Sequence, residues 1–397
     1  MELLPTELRR AILSHCSLPT LKSLRLTSST WAALGEEYLI SPIFATLPHR
    51  PDFHRLLSVS QHPVFSLQIE ALVINLGEIN EYHARHNSYF IQYMRDTDDR
   101  LAAQEMVWGA YATFRARKEV YMPFACTPGL LDPALRTLPN LKRVEVGLTK
   151  CPFPEDDEET ELLRQIWNIP STRLLARVAT TERFTSLLSA LSNSPSTVIQ
   201  LSHDRLPFEF FAQKAMLTSL VSTAFIPLTS LSLVLDYSDM PNNLHSSQAF
   251  QNLSHCLRSA SGLQIFHLSF QGRKKIDISP LLLSPGEHGF VFKELKQVKF
   301  EGISCTENEL VSFLLKHKGS LRKVQLGGVG SKAPYQKANG GIHLKEGTWK
   351  STFEKVRVGL ELEVFMAQGD MVETEGGKHF VLDELESIAN LGSFVRD

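Results

Sequence analysis

A string of apolar residues at relative positions 1, 4 and 6 recurs through most of the chain and constrains the fold more than any other feature. It reads Ile69-Leu72-Ile74, Leu141-Val144-Val146, Leu228-Leu231-Leu233, Leu263-Phe266-Leu268, Leu295-Val298-Phe300, Leu321-Val324-Leu326 and Phe353-Val356-Val358. A degenerate copy starting at Ser196 keeps Ile199 and Leu201 at positions 4 and 6. The starts 196, 228, 263, 295, 321 and 353 are spaced by 32, 35, 32, 26 and 32 residues. Alternation at positions 4 and 6 predicts a short strand with one buried face. The segments between are long enough for a helix and two turns. Ser247–Ser259 and Glu307–Lys318 are examples, the second with Leu310, Phe313, Leu314 and His317 at helical spacing. One such unit cannot bury its own apolar face, so the units must stack. A single string means little in a Leu-rich chain. Several copies at near-constant spacing favour a repeat over a conventional α/β sheet with coincidental strings.

The first 47 residues follow another pattern. Leu4, Leu8, Ile12 and Cys16 fall on one helix face, widened by Leu13. Pro5 suits a first turn, where its missing N–H costs nothing, and Glu7 suits the positive helix start. Thr20 is a candidate N-cap for a second helix with Leu21 and Leu24, and Ser28 or Ser29 for a third with Trp31, Leu34 and Tyr38. Pro42 marks the end. A unit this small is marginal alone and needs neighbours.

These residues resemble an F-box. The matching positions are Leu4-Pro5, Leu8, Ile12-Leu13, Leu21, Leu24, Leu26, Ser28 and Trp31, with Phe44 as the late aromatic. Cys16 stands where the family usually has Leu, and Thr20 where Asp is frequent. The array that follows resembles an irregular leucine-rich repeat, longer than usual and mostly without the Asn or Cys ladder. The pairing is similar to fungal F-box proteins. The expected fold is α/β. It comprises a three-helix F-box at 1–47, a linker at 48–64, and a leucine-rich-repeat-like solenoid with a parallel sheet and outer helices at 65–390. Between Ile74 and Leu141 the period breaks. Tyr82–Met94 and Asp99–Val120 read as a helical insertion, with Val107, Ala110, Tyr111 and Phe114 on one face of the second helix.

Composition narrows the function. The net charge of −2 argues against binding nucleic-acid backbone as the main task. No apolar run reaches membrane-span length, and Glu2 and Glu7 stand where a secretory signal would be basic. Cys16, Cys126, Cys151, Cys256 and Cys305 are scattered, which fits reduced thiols in the cytoplasm or nucleus. Gly327-Gly328-Val329-Gly330-Ser331-Lys332 lacks the order of a phosphate loop and reads as a turn. His54 and His203-Asp204 have no nucleophile elbow, the acidic run Glu155–Glu161 lacks calcium-loop spacing, and His15-Cys16 and His255-Cys256 lack zinc spacing. The chain reads as a non-enzyme that needs no metal or cofactor.

The resemblance implies a substrate-recognition subunit of a cullin-RING ubiquitin ligase. Leu4, Pro5, Leu8, Ile12, Leu21, Leu24 and Trp31 would meet a Skp-type adaptor or shape the unit that does, with Leu4, Pro5 and Leu8 outward and Trp31 inward. The alternative is a scaffold whose F-box is structural only. Residues alternating with positions 4 and 6 should point away from the core. They include Ser230, Ser232, Ile265, His267, Gln297, Glu301 and Gln325, and a basic end of Lys299, Lys323, Lys355 and Arg357 expected to bind an acidic or phosphorylated target segment.

Overall fold

Parallel pairing in chain order organises the molecule. The computed structural model describes residues 4–82, 97–153, 155, 160–168, 173–195, 197–213, 221–238, 243–272, 274–282, 291–330 and 340–387. Its strands are β1 (Ile43–Thr46), β2 (Ala71–Asn75), β3 (Arg143–Gly147), β4 (Gln200–Pro207), β5 (Ser230–Asp236), β6 (Ile265–Gln271), β7 (Ile276–Asp277), β8 (Gln297–Glu301), β9 (Ile303–Cys305), β10 (Lys323–Gly327), β11 (Ile342–Leu344), β12 (Val364–Glu373) and β13 (His379–Ser387). β1 to β6, then β8, β10 and β12, are successive parallel neighbours. The short β7, β9 and β11 form a second parallel limb that meets the far half of β12, and β13 pairs antiparallel with β12.

The register stacks like positions. One inward row runs Phe44, Leu72, Val144, Leu201, Leu231, Phe266, Val298, Val324 and Phe365. The next runs Thr46, Ile74, Val146, His203, Leu233, Leu268, Phe300, Leu326 and Ala367. Apart from Phe365, which is partly buried, these side chains are buried, and together they form the spine of the main core. Each fully buried aliphatic side chain contributes about 1.5–3 kcal/mol.

Helices complete the units. They are α1 (Thr6–Ser14), α2 (Leu18–Arg25), α3 (Ser29–Glu36), α4 (Asp52–Ser60), α5 (Phe65–Gln68), α6 (Thr97–Tyr121), α7 (Pro128–Arg136), α8 (Glu161–Trp167), α9 (Arg177–Ser192), α10 (Asn243–Ser259), α11 (Ser279–Leu282), α12 (Glu307–Lys316) and α13 (Trp349–Gly359). The start of α12 is fixed by a capping box, Thr306 with Glu309. In the insertion, Val107, Tyr111 and Phe114 of α6 pack with Ile79, Phe153, Leu163, Ile166 and Trp167 as a separate core. The helix expected at Tyr82–Met94 falls almost wholly outside the described residues.

Two stretches differ from expectation. Phe353-Val356-Val358 is no strand but lies on α13. Thr348 caps that helix by accepting Ser351 N–H, and Trp349, Phe353 and Val356 bury at helical spacing. Val358 is 85% exposed. The strand comes later, where Phe365 and Ala367 of β12 align with Val324 and Leu326. A 1–4–6 string has i, i+3 spacing in its first two members, so it fits a helix as well as a strand. Residues 48–64, expected as a linker, hold α4, whose Phe53 and Leu56 are buried in the main core.

Where β10 ends, the chain must bend between the two limbs. Gly327 has φ +82°, and a Cβ there would stand 1.9 Å from the Gln368 carbonyl oxygen. Both facts demand glycine. Gly109 on α6 faces open space. Gly327→Ala should therefore lower the urea midpoint sharply, whereas Gly109→Ala should raise stability by about 0.5–1 kcal/mol.

β4 carries a bulge: Asp204 and Arg205 together oppose Val234, between the pairs His203–Leu233 and Leu206–Leu235. His203 sits in the inward row, and its Nδ1 accepts the Arg205 N–H at 3.2 Å. That assigns the proton to Nε2, which has no hydrogen-bond partner among the described residues and lies in a ring packed edge-on to Phe184 at 5.0 Å. Burial lowers the His203 pKa from 6.5 to about 3. Between those values the unfolded chain binds a proton that the folded chain refuses. Stability thus rises with pH across this window, by at most about 1.4 kcal/mol per pH unit. Urea midpoints measured from pH 4 to 7 should show the rise, and His203→Leu should flatten it. An unchanged slope would mean that His203 titrates normally.

Candidate functional site

The N-terminal unit is built around three side chains. Leu13 of α1, Leu21 of α2 and Trp31 of α3 are buried, with Cys16, Leu24, Leu34 and Tyr38 packed around them. Ser17, not Thr20, caps α2: its hydroxyl accepts Thr20 N–H at 3.4 Å. Ser28 caps α3 through Trp31 N–H at 3.3 Å. Arg25 crosses α3 closely, donating to the Ala32 carbonyl at 3.1 Å.

So small a core leaves large apolar residues outside. Leu8 is 52% exposed, Ile12 37%, Leu18 46% and Leu26 89%. Pro5 is exposed and Leu4 half-buried. Of the seven residues assigned to the adaptor face, Pro5, Leu8 and Ile12 are on the surface, and Leu4 and Leu24 are half-buried. Leu21 and Trp31 lie inside and serve the unit's own packing. Leu18 was missed altogether, and Leu26 had been noted only as a motif position. Both belong to no inward-facing helical stripe, which is the signal that marks them.

The unit is joined firmly to the sheet. The Pro42 carbonyl accepts the N–H groups of Glu70 at 2.9 Å and Ala71 at 3.0 Å. Ile40 and Phe44 pack into the main core. His62 lies 3.5 Å from Glu36. Phe44, read as the late F-box aromatic, is an inward residue of β1.

The second candidate site is the outward sheet face. Ser230, Ser232, Ile265, His267, Gln297, Lys299, Glu301, Lys323 and Gln325 share it, alternating with the inward rows. The four cations expected at its basic end do not gather. Lys299 pairs with Glu301 at 3.1 Å, and Lys323 is exposed on β10. Lys355 and Arg357 sit on α13, where Lys355 pairs with Glu307 at 2.5 Å. Burial would raise the Glu307 pKa, but Lys355, Ser351 and Thr348 N–H hold it below the usual carboxylate range.

Other motifs are occupied by structure. Glu301 accepts Gly330 N–H at 2.9 Å, so the glycine loop after β10 already holds a carboxylate of its own chain. Ser331 and Lys332 lie outside the described residues. His54 packs edge-on to Phe124 at 4.9 Å. Lys345 reaches Ser279 at 3.2 Å, but Asp277 at 2.7 Å outweighs burial and keeps the lysine charged, unfit as a base. Burial pushes the thiols of Cys126, Cys256 and Cys305 up to about 12, leaving them inert.

Residues 1–36 match the F-box domain model, so the N-terminal unit is an F-box domain. No curated protein matches the chain.

The division between core and surface is testable by hydrogen exchange in 1–40. Trp31→Ala should destabilise the unit by about 3–5 kcal/mol, and Leu26→Ser should stay within about 0.5 kcal/mol of wild type.

Proposed function

We propose that the chain is a substrate-recruiting subunit of a cullin-RING ubiquitin ligase. Its F-box docks a Skp-type adaptor, as F-box domains generally do. Its strand–helix array, read as an irregular leucine-rich-repeat-like domain, holds a target protein. The supporting observation is the apolar surface of Pro5, Leu8, Ile12, Leu18 and Leu26 on a unit whose core, among the described residues, is Leu13, Leu21 and Trp31. Large apolar side chains left exposed at this density on so small a unit fit a protein interface.

The mechanism is tethering. Binding the target beside a ubiquitin-conjugating enzyme raises the effective concentration of its lysines, so this chain performs no chemistry and needs no cofactor or metal. It would act in the cytoplasm or nucleus. Neither nucleic acid nor membrane is invoked. The net charge is −2, and no helix among the described residues is long and apolar enough to cross a membrane.

A second reading is a non-ligase scaffold whose F-box is structural only. The observation favouring it is the continuity of the F-box with β1, through which the unit also closes one end of the main core. Adaptor capture by the intact chain separates the two. Leu8→Asp with Ile12→Asp should weaken capture of a Skp-type adaptor by about tenfold or more, since each buried leucine is worth about 1.5–3 kcal/mol. Thermal unfolding of the array should not move. A wild-type chain that captures no such adaptor supports the scaffold instead.

A further inference from the structure

Charged groups crowd together where the chain leaves β4 and β5. Asp236, buried at the end of β5, receives Arg177 and Arg205, each at 2.9 Å. Arg177 also grips Glu209. Asp204, in the β4 bulge, accepts Leu148 N–H at 2.7 Å, Thr149 N–H at 2.9 Å and the Thr149 hydroxyl at 2.5 Å. Each of these carboxylates is committed.

Arg173 breaks the pattern. Its guanidinium carbon lies 5.4 Å from the centroid of the Trp167 ring, and its Nε donates to the Trp167 carbonyl at 3.0 Å. The two contacts fix the plane of the fork. They leave both terminal nitrogens without a carboxylate or carbonyl among the described residues. The residue is half-buried. Arg205 stands beside it, its Nη1 3.5 Å from the Arg173 carbonyl. Burial, and then the field of Arg205, depress the Arg173 pKa. Asp204 offsets part of that field, and Arg205 is itself paired with Asp236, so the charge left without a direct partner is that of Arg173. Access is open nearby. Cys151, within electrostatic reach of Arg173, lines a pocket of about 600 Å³ whose charged lining is mixed, Arg50 and Arg164 with Glu155 and Glu161.

From this juxtaposition we infer that Arg173, backed by Arg205, is an oxyanion subsite for a carboxylate or phosphate group carried by the captured protein. A planar guanidinium whose two terminal nitrogens are unpaired among the described residues fits such groups bidentately. The stacked Trp167 holds the fork in advance, so little side-chain entropy is lost on binding. The carrier's being a captured protein rests on the proposed function. The anion chemistry does not.

The test is the Nε–Hε NMR signal of Arg173 in the intact chain, assigned by its absence in Arg173→Gln. The chain is titrated separately with inorganic phosphate and with acetate, at constant ionic strength made up with chloride. A saturable shift is expected with at least one anion. The rise in thermal midpoint that the same anion gives wild type should vanish in Arg173→Gln and persist in part in Arg173→Lys, which keeps the charge but loses the fork. A response to phosphate alone assigns a phosphorylated side chain, and a response to acetate assigns Asp or Glu. If Arg173→Gln does not fold, Arg173→Lys serves, with affinity expected to fall about tenfold as the fork is lost. No shift with either anion overturns the subsite. Adaptor capture reads a different part of the chain, so failure here and failure of the ligase reading are told apart.

Discussion

No strand of the main sheet is complete by itself. A parallel ladder of backbone hydrogen bonds satisfies each strand only through its neighbours, and each inward side chain is buried only by those before and after it. Everything else hangs on that dependence. β1 closes the row at one end and is itself the continuation of the F-box. The long β12 closes the other end, because it carries both limbs and the antiparallel β13.

Strand-bearing strings were legible because their period survives in six of the seven regular copies. The seventh misled for a physical reason: Phe353 and Val356 satisfy helix and strand spacing alike, and the cap at Thr348 decides between them. β1 was hidden by its neighbour, since Phe44 answered equally well to an F-box position. The degenerate copy at β4 is real. Its weak signature reflects a bulge and a histidine, His203, in a row otherwise dominated by aliphatic residues. Carboxylates meet backbone N–H groups beyond the strands, with Asp204 on Leu148 and Thr149, Glu301 on Gly330, Glu307 on Thr348 and Glu373 on Trp349. Charge-assisted bonds to backbone N–H groups are the stronger kind. They leave no regular mark in sequence because their spacing varies.

The candidate sites were less legible than the fold. Trp31 lies inward and Leu8 outward as expected, but an apolar stripe cannot say which of its other members face a partner, and Leu21 and Ile12 turn out to have opposite environments. Charges flanking strands looked free in sequence, yet Lys299 and Lys355 are neutralised by Glu301 and Glu307. Arg173 could not be picked out at all. Its meaning depends on Trp167 beneath it, on Arg205 beside it, and on Asp204 and Asp236 being engaged elsewhere.

The fusion of F-box and sheet through β1 makes the molecule a ruler. Strand spacing is about 4.8 Å, so the eight steps from β1 to β12 carry the far strand roughly 40 Å along the ladder. With no slack between Pro42 and β2, that reach is set by the number of units rather than by a tether's statistics. Under the proposed function, a target seated on one unit would meet the ligase at a fixed offset, and a target one unit further along would be displaced by one rung. Inserting or deleting a single strand–helix unit would therefore change which lysines come within range, without altering any residue that touches the target.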